Sequence, residues 1–204
     1  ARTRNTTDCL QQLKDAKVDV GMVQLGNETN GSLCGETTWG NICQLMEAGS
    51  RAVRAISPEA LVAVHFTNPE NADAMRFYAK TLDDFRLDYD VFATSYYPYW
   101  HGTLENLAAV LSQIAEAYGK KVMVAETSYA YTPEDTDFFG NTIGEGGSYA
   151  KPYPLTVQGQ ADAVADVVRT MAEDTTNGIG VFYWEGAWIS AGGGSRAENS
   201  RQWE

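Results

Sequence analysis

Two glutamates stand close behind apolar runs: Glu28, in MVQLGNE, and Glu126, in VMVAE. Other apolar runs end at His65, at Tyr96 and Tyr97, and at Trp184 followed by Glu185. In parallel α/β folds the loops converge at the carboxyl ends of the strands, so chemistry collects there. One glutamate in such a place reads most simply as a salt-bridge partner. Two of them, joined by His, Tyr and Trp at neighbouring ends, read as a site. Glycoside hydrolysis needs two carboxyl groups facing one bond: one protonates the leaving oxygen, the other attacks or stabilises the oxocarbenium-like carbon. Their surroundings must differ, because the acid has to keep its proton near neutral pH while the nucleophile stays ionised among donors. On this reading Asn27 offers an amide to the sugar 2-hydroxyl, and His65 and Tyr97 donate to Glu126.

The elements that must position these residues alternate along the chain. Short β-branched runs at 18–25, 61–66, 91–96, 122–125 and 179–183 predict strands, and amphipathic segments between them predict helices. The helix beginning near Asn41 carries Ile42, Leu45, Met46, Val53 and Ile56 at helical spacing and stops at Ser57-Pro58. Thr103 sits where an N-cap belongs and Gly119 where a left-handed C-cap belongs. Near-continuous apolar strands alternating with helices specify a parallel sheet covered by helices. This pattern is shared by an open doubly wound sheet and by part of a barrel. No GxGxxG follows the first strand, which lowers a nucleotide-binding reading. A long Gly- and Asp-rich stretch, 127–155, interrupts the rhythm, and loops of that length are commonly functional.

Composition narrows the partners. A chain of 204 residues with 44% hydrophobic and 21% charged side chains buries a sizeable core. Its net charge of -12 disfavours nucleic acid and anionic membranes, which both require clustered Lys and Arg. A neutral substrate fits, and five Trp, eleven Tyr and seven Phe supply flat faces on which sugar rings stack. Cys9, Cys34 and Cys43 are an odd number without CxxC spacing, and we expect buried free thiols rather than a disulfide framework or a zinc site. No apolar run reaches the ~18 residues of a membrane span, and any export signal is expected upstream of Ala1.

The segments GMVQLGNETNG, LVAVHFTNPE, DYDVFATSYYPYWHGTLENL, KKVMVAETSYAYT and GIGVFYWEGAW, in that order, resemble the arabinogalactan endo-β-1,4-galactanases of glycoside hydrolase family 53 over nearly the whole chain. The resemblance implies a partial (β/α)₈ TIM barrel: a single incomplete catalytic domain over residues 1–204 holding strands four to eight. It assigns the acid/base to Glu28, by the match to GNE, and the nucleophile to Glu126, by the match to AETSY. It implies a secreted, retaining, endo-acting enzyme on the β-1,4-galactan side chains of pectin, with Trp100 and Trp184 as stacking platforms. It also places an arginine near the nucleophile on an earlier strand. Gly186 stands where the family pattern has Pro, a change expected to alter a loop rather than the chemistry.

In the long loop, Asp135, Asp137 and Asn141, with the Phe139 carbonyl between them, offer oxygen ligands at alternating positions suited to a structural Ca²⁺, as some family members bind. No cofactor is required for the chemistry itself. Two alternatives carry weight: another endo-glycanase of the same clan, a cellulase or mannanase, and a noncatalytic carbohydrate-binding remnant whose open edges expose apolar strands. The SYYPYWHGTL segment disfavours the first, and retention of both carboxylates disfavours the second.

Overall fold

The computed structural model describes residues 2–134, 141–144 and 146–186. Five strands, β1 (Met22–Gln24), β2 (Leu61–Phe66), β3 (Val91–Ser95), β4 (Lys121–Thr127) and β5 (Gly178–Tyr183), form one parallel sheet in the order β1-β2-β3-β4-β5. Helices α1 (Arg2–Asp15), α2 (Trp39–Ile56), α3 (Ala72–Asp84), α4 (Leu104–Tyr118) and α5 (Val157–Arg169) alternate with them. A strand order that never reverses has no topological switch point, which removes the doubly wound alternative.

The two faces of the sheet settle the architecture. Val62, Val64, Phe66, Phe92, Val122 and Val124 point into one core with residues of all five helices, among them Leu10, Ile42, Met75, Leu107 and Val167. The opposite face carries a separate cluster of mostly small side chains, Ala63, Val91, Ala93, Met123 and Ala125. Helices on one side and a small-residue concave face on the other are the wall of a (β/α)₈ barrel, here five of its strands. Edge position shows in exposure. The three central strands are nearly all buried, whereas Ile179, Phe182 and Tyr183 of β5 are exposed.

Local chemistry sets the helix ends. The side chains of Asn71, Thr103 and Thr156 accept from the backbone N–H three residues on, satisfying a donor that the first helical turn leaves over. Gly119 closes α4 in the left-handed region at φ 63°, as its type predicts. Strand β1 is shorter than the expected 18–25, with regular pairing only over Met22–Gln24. The cysteines depart from expectation: Cys43 is buried, but Cys9 and Cys34 are exposed, because they lie on the outer side of α1 and on the loop after β1 rather than in the helix–sheet core.

Candidate active site

Glu28 lies four residues past β1 in a tightly tethered turn. Thr29 donates both its backbone N–H and its hydroxyl to the His65 carbonyl, each at 2.9 Å. The Asn30 amide bonds both sides of the Thr67 peptide, accepting from its N–H at 2.8 Å and donating to its carbonyl at 2.9 Å. These bonds continue the β1–β2 pairing after β1 has ended. They hold Glu28 at φ 47°, a left-handed conformation rare outside Gly, Asn and Asp, and such strain collects at functional positions. Gly26, at φ +88°, enters the same turn, and a Cβ there would stand 2.7 Å from Thr29 Cγ2 and 2.8 Å from Leu33 Cδ1. Gly26→Ala is therefore expected to cost ~1–3 kcal/mol of stability, read as a lowered Tm, and to lower turnover by displacing Glu28.

Glu126 reaches the site through a break in strand register. Thr94 pairs with Val124, but the next pair is Ser95 with Glu126, so Ala125 is skipped. Regular alternation would put Glu126 on the face of Val122 and Val124, in the helix-covered core. The bulge turns it onto the concave face beside Ser95, the re-aiming for which bulges near active sites are used. There Glu126 is 9% exposed and accepts from the Tyr97 hydroxyl at 3.0 Å. Burial pushes its carboxyl up; the Tyr97 hydrogen bond opposes this, and the charges of Glu28 and Glu185 add to the upward push. The Tyr97 phenol is itself held well above its usual range, by burial and by Glu126, so it stays a donor.

That balance has a testable sign. The Tyr97 hydroxyl favours ionised Glu126, so Tyr97→Phe lets the carboxyl rise further. The acidic limb of the rate profile should then move to higher pH, because the ionised form is lost sooner on acidification. One hydrogen bond to a charged group is worth ~1.5–3 kcal/mol, so kcat/KM should fall roughly 10- to 100-fold. A pH–rate series on the variant checks both.

The remaining expected residues divide. His65 is fully buried and does not donate to Glu126 as the sequence reading expected; its Nε2 is 2.9 Å from Ser95 Oγ, whose hydroxyl is 2.6 Å from Glu28 Oε1. The reason is register: His65 and Ser95 sit on the concave face of adjacent strands, with Ser95 between His65 and the carboxylates. The Asn27 Oδ1 lies 3.1 Å from His65 Nδ1 on the exposed rim, and Gln24 Nε2 lies 3.0 Å from the same nitrogen. Trp100 and Trp184 are about half exposed at the carboxyl end of the sheet, Trp184 continuing the β4–β5 ladder by donating its N–H to the Thr127 carbonyl at 2.8 Å. Asp135, Asp137 and Phe139 lie outside the described residues; Asn141 is exposed and donates its amide to the Glu134 carbonyl at 3.0 Å.

Sequence reasoning missed Ser95, Gln24 and His101. Ser95 was signalled by period-two alternation, two residues before Tyr97. His101 is 6% exposed and accepts the Tyr97 N–H on Nδ1 at 3.0 Å, fixing the turn that carries Tyr97 and Trp100, and burial lowers its imidazole. Neither Gln24 nor His101 has a local sequence cue.

The family model described as Glycosyl hydrolase family 53 matches residues 3–204. The chain is 54% identical over 200 residues to the endo-beta-1,4-galactanase of Bacillus subtilis (strain 168), covering 98% of this chain and 46% of that protein. It is 32% identical over 214 residues to the arabinogalactan endo-beta-1,4-galactanase of Cellvibrio japonicus (strain Ueda107), covering 96% and 56%. Among solved structures, the Ignisphaera aggregans GH53 catalytic domain superposes with a TM-score of 0.81 at 31% identity, over 93% of this chain and 54% of that one. The chain spans about half the length of the curated relatives it matches.

Proposed function

Because the chain belongs to glycosyl hydrolase family 53, we propose that the protein carrying it is a secreted endo-β-1,4-galactanase that cleaves the galactan side chains of pectin with retention. The observation that carries this is the convergence of two carboxylates on one concave face. Glu28 is tethered at the end of β1 and bonded by Ser95; Glu126 is turned in by the β4 bulge and bonded by Tyr97.

In the first step Glu126 attacks the anomeric carbon as the bond to the leaving oxygen breaks, and Glu28 gives that oxygen its proton. In the second, Glu28 takes a proton from water, the water oxygen attacks the same carbon, and the ester to Glu126 breaks. The product keeps the configuration of the substrate and both carboxyl groups return to their starting states. Trp100 and Trp184 offer stacking faces to adjacent sugars, and Asn27 faces the 2-hydroxyl. Tyr97 both orients Glu126 and restrains the rise of its carboxyl, a task the resemblance divides with an arginine of an earlier strand.

Reducing-sugar release by the complete protein from β-1,4-galactan, against cellulose, mannan and β-1,3-galactan, tests the substrate. Activity confined to β-1,4-galactan is expected; activity on cellulose or mannan instead would overturn it. A structural Ca²⁺ on Asp135, Asp137, the Phe139 carbonyl and Asn141 belongs to the same proposal, and no step passes through it. EDTA should lower the Tm of the complete protein, and an unchanged Tm would remove the ion.

A further inference from the structure

The two-carboxylate chemistry makes no use of His65, yet this fully buried imidazole stands in an unbroken row of hydrogen bonds. Glu28 Oε1 is 2.6 Å from Ser95 Oγ, and Ser95 Oγ is 2.9 Å from His65 Nε2. On its far side, His65 Nδ1 meets Gln24 Nε2 at 3.0 Å and Asn27 Oδ1 at 3.1 Å. Ser95, like His65, is fully buried, so these groups satisfy one another rather than water.

The row has two consistent directions. Ionised Glu28 only accepts, so Ser95 must give it the single hydroxyl hydrogen. Ser95 Oγ then accepts from His65, whose hydrogen must be on Nε2, and the bare Nδ1 accepts from Gln24. When Glu28 is protonated and donates to Ser95, the Ser95 hydrogen turns to His65 Nε2. The ring must then carry its hydrogen on Nδ1, where Asn27 Oδ1 accepts it. One hydrogen of the Gln24 amide is held in both states by the Gly26 carbonyl at 2.8 Å; the other turns from Nδ1 to Asn27 Oδ1, 3.5 Å away. A ring of fixed tautomer would need only one partner at Nδ1. Here a donor and an acceptor stand at nearly equal distance.

We infer that Ser95 and His65 are positioning residues for the acid/base, and that the His65 tautomer of the resting protein follows the protonation state of Glu28. This rests on the reading of Glu28 as acid/base. The two states differ by one proton, which sits on Glu28 and is exchanged at its own carboxyl; Ser95 holds one hydrogen and the neutral His65 ring one in both. The ring is neutral in both states. Burial pushes the imidazole down to about 4 against the pull of the Glu28 charge, so the cation, which would donate from both nitrogens and lock the row, is suppressed. The other titratable groups that feel the Glu28 charge are Tyr97 and His101 from the turn after β3 and Glu126 from β4. Their titration is separable because the switch requires Glu28.

The test is ¹⁵N NMR of the complete protein labelled in histidine, with the His65 signals assigned by their loss in His65→Asn. The ring should be Nε2-protonated above the alkaline limb of kcat/KM, which reports the free protein, and Nδ1-protonated below it. In Glu28→Gln the changeover should vanish. A single tautomer across that limb, a cationic ring below it, or a changeover that persists in Glu28→Gln overturns the inference. Ser95→Ala should lower kcat about tenfold with KM little changed, about what one charged hydrogen bond supplies, and abolish the changeover; Ser95→Thr should restore both. If Ser95→Ala does not fold, the wild-type spectra decide alone. Failure of the acid/base reading shows elsewhere, as an absence of azide rescue in Glu28→Ala. Rescue with a fixed His65 tautomer would sink this inference and leave that reading intact.

Discussion

On the proposed mechanism, replacing Glu126 by Gln should lower the complete protein's turnover of β-1,4-galactan by roughly 10⁴-fold or more, on the scale of losing a member of a covalent-catalysis unit. The substitution is near-isosteric at a 9%-exposed position, and the amide can still accept from Tyr97, so the Tm should stay close to wild type. What the proposed reaction would lose is the oxygen that forms the ester to the anomeric carbon. The same step can be trapped. A galactoside with fluorine at carbon 2 and a good leaving group forms the glycosyl-enzyme but slows its hydrolysis, because the electron-poor ring resists the second oxocarbenium-like transition state. Mass spectrometry of the digested protein should find one fluorogalactosyl increment on the peptide containing Glu126. Label on Glu28 or Glu185 would reassign the nucleophile; full activity of Glu126→Gln would remove Glu126 from the chemistry.

The structure makes this assignment a matter of backbone geometry as much as of residue type. Glutamates behind apolar runs were legible in the sequence because a strand buried on both faces has few reasons to end in a carboxylate. The face on which each points was not. Counting by twos from Val122 and Val124 sends Glu126 into the helix layer, and only the skipped Ala125 brings it to the site. Such a bulge depends on how β3 and β4 pair, which no local pattern records.

The same limit explains His65. Its place at the end of β2 was readable, but its partner was fixed by cross-strand register, which put Ser95 beside it and Glu126 one strand further on. The caps at Thr103 and Gly119 were legible because their chemistry is local. The extent of β1 was not, because an apolar run continues through 18–25 although regular pairing holds only over Met22–Gln24.

Glu28→Ala divides the reaction in a way that no structural defect imitates. In the proposed reaction the leaving group is a sugar hydroxyl that needs protonation, so kcat/KM on β-1,4-galactan should fall about 10²- to 10⁴-fold, the usual contribution of a positioned acid. An aryl galactoside whose phenolate leaves unaided should form the intermediate nearly as fast as in the wild type. Its hydrolysis then stalls, because the residue that would take a proton from water is gone. The expected signature is a burst of phenol followed by a slow steady state, with KM lowered as the intermediate accumulates. Azide needs no base and fits the space left by the side chain. It should restore turnover and give the β-galactosyl azide, whose retained configuration reports two displacements. An α-galactosyl azide would mean that azide had attacked the substrate directly in a single displacement, and the retaining mechanism would fall. Equal losses on both substrates without rescue would instead mark Glu28 as a residue of the turn, held at its strained φ of 47° for reasons other than proton transfer.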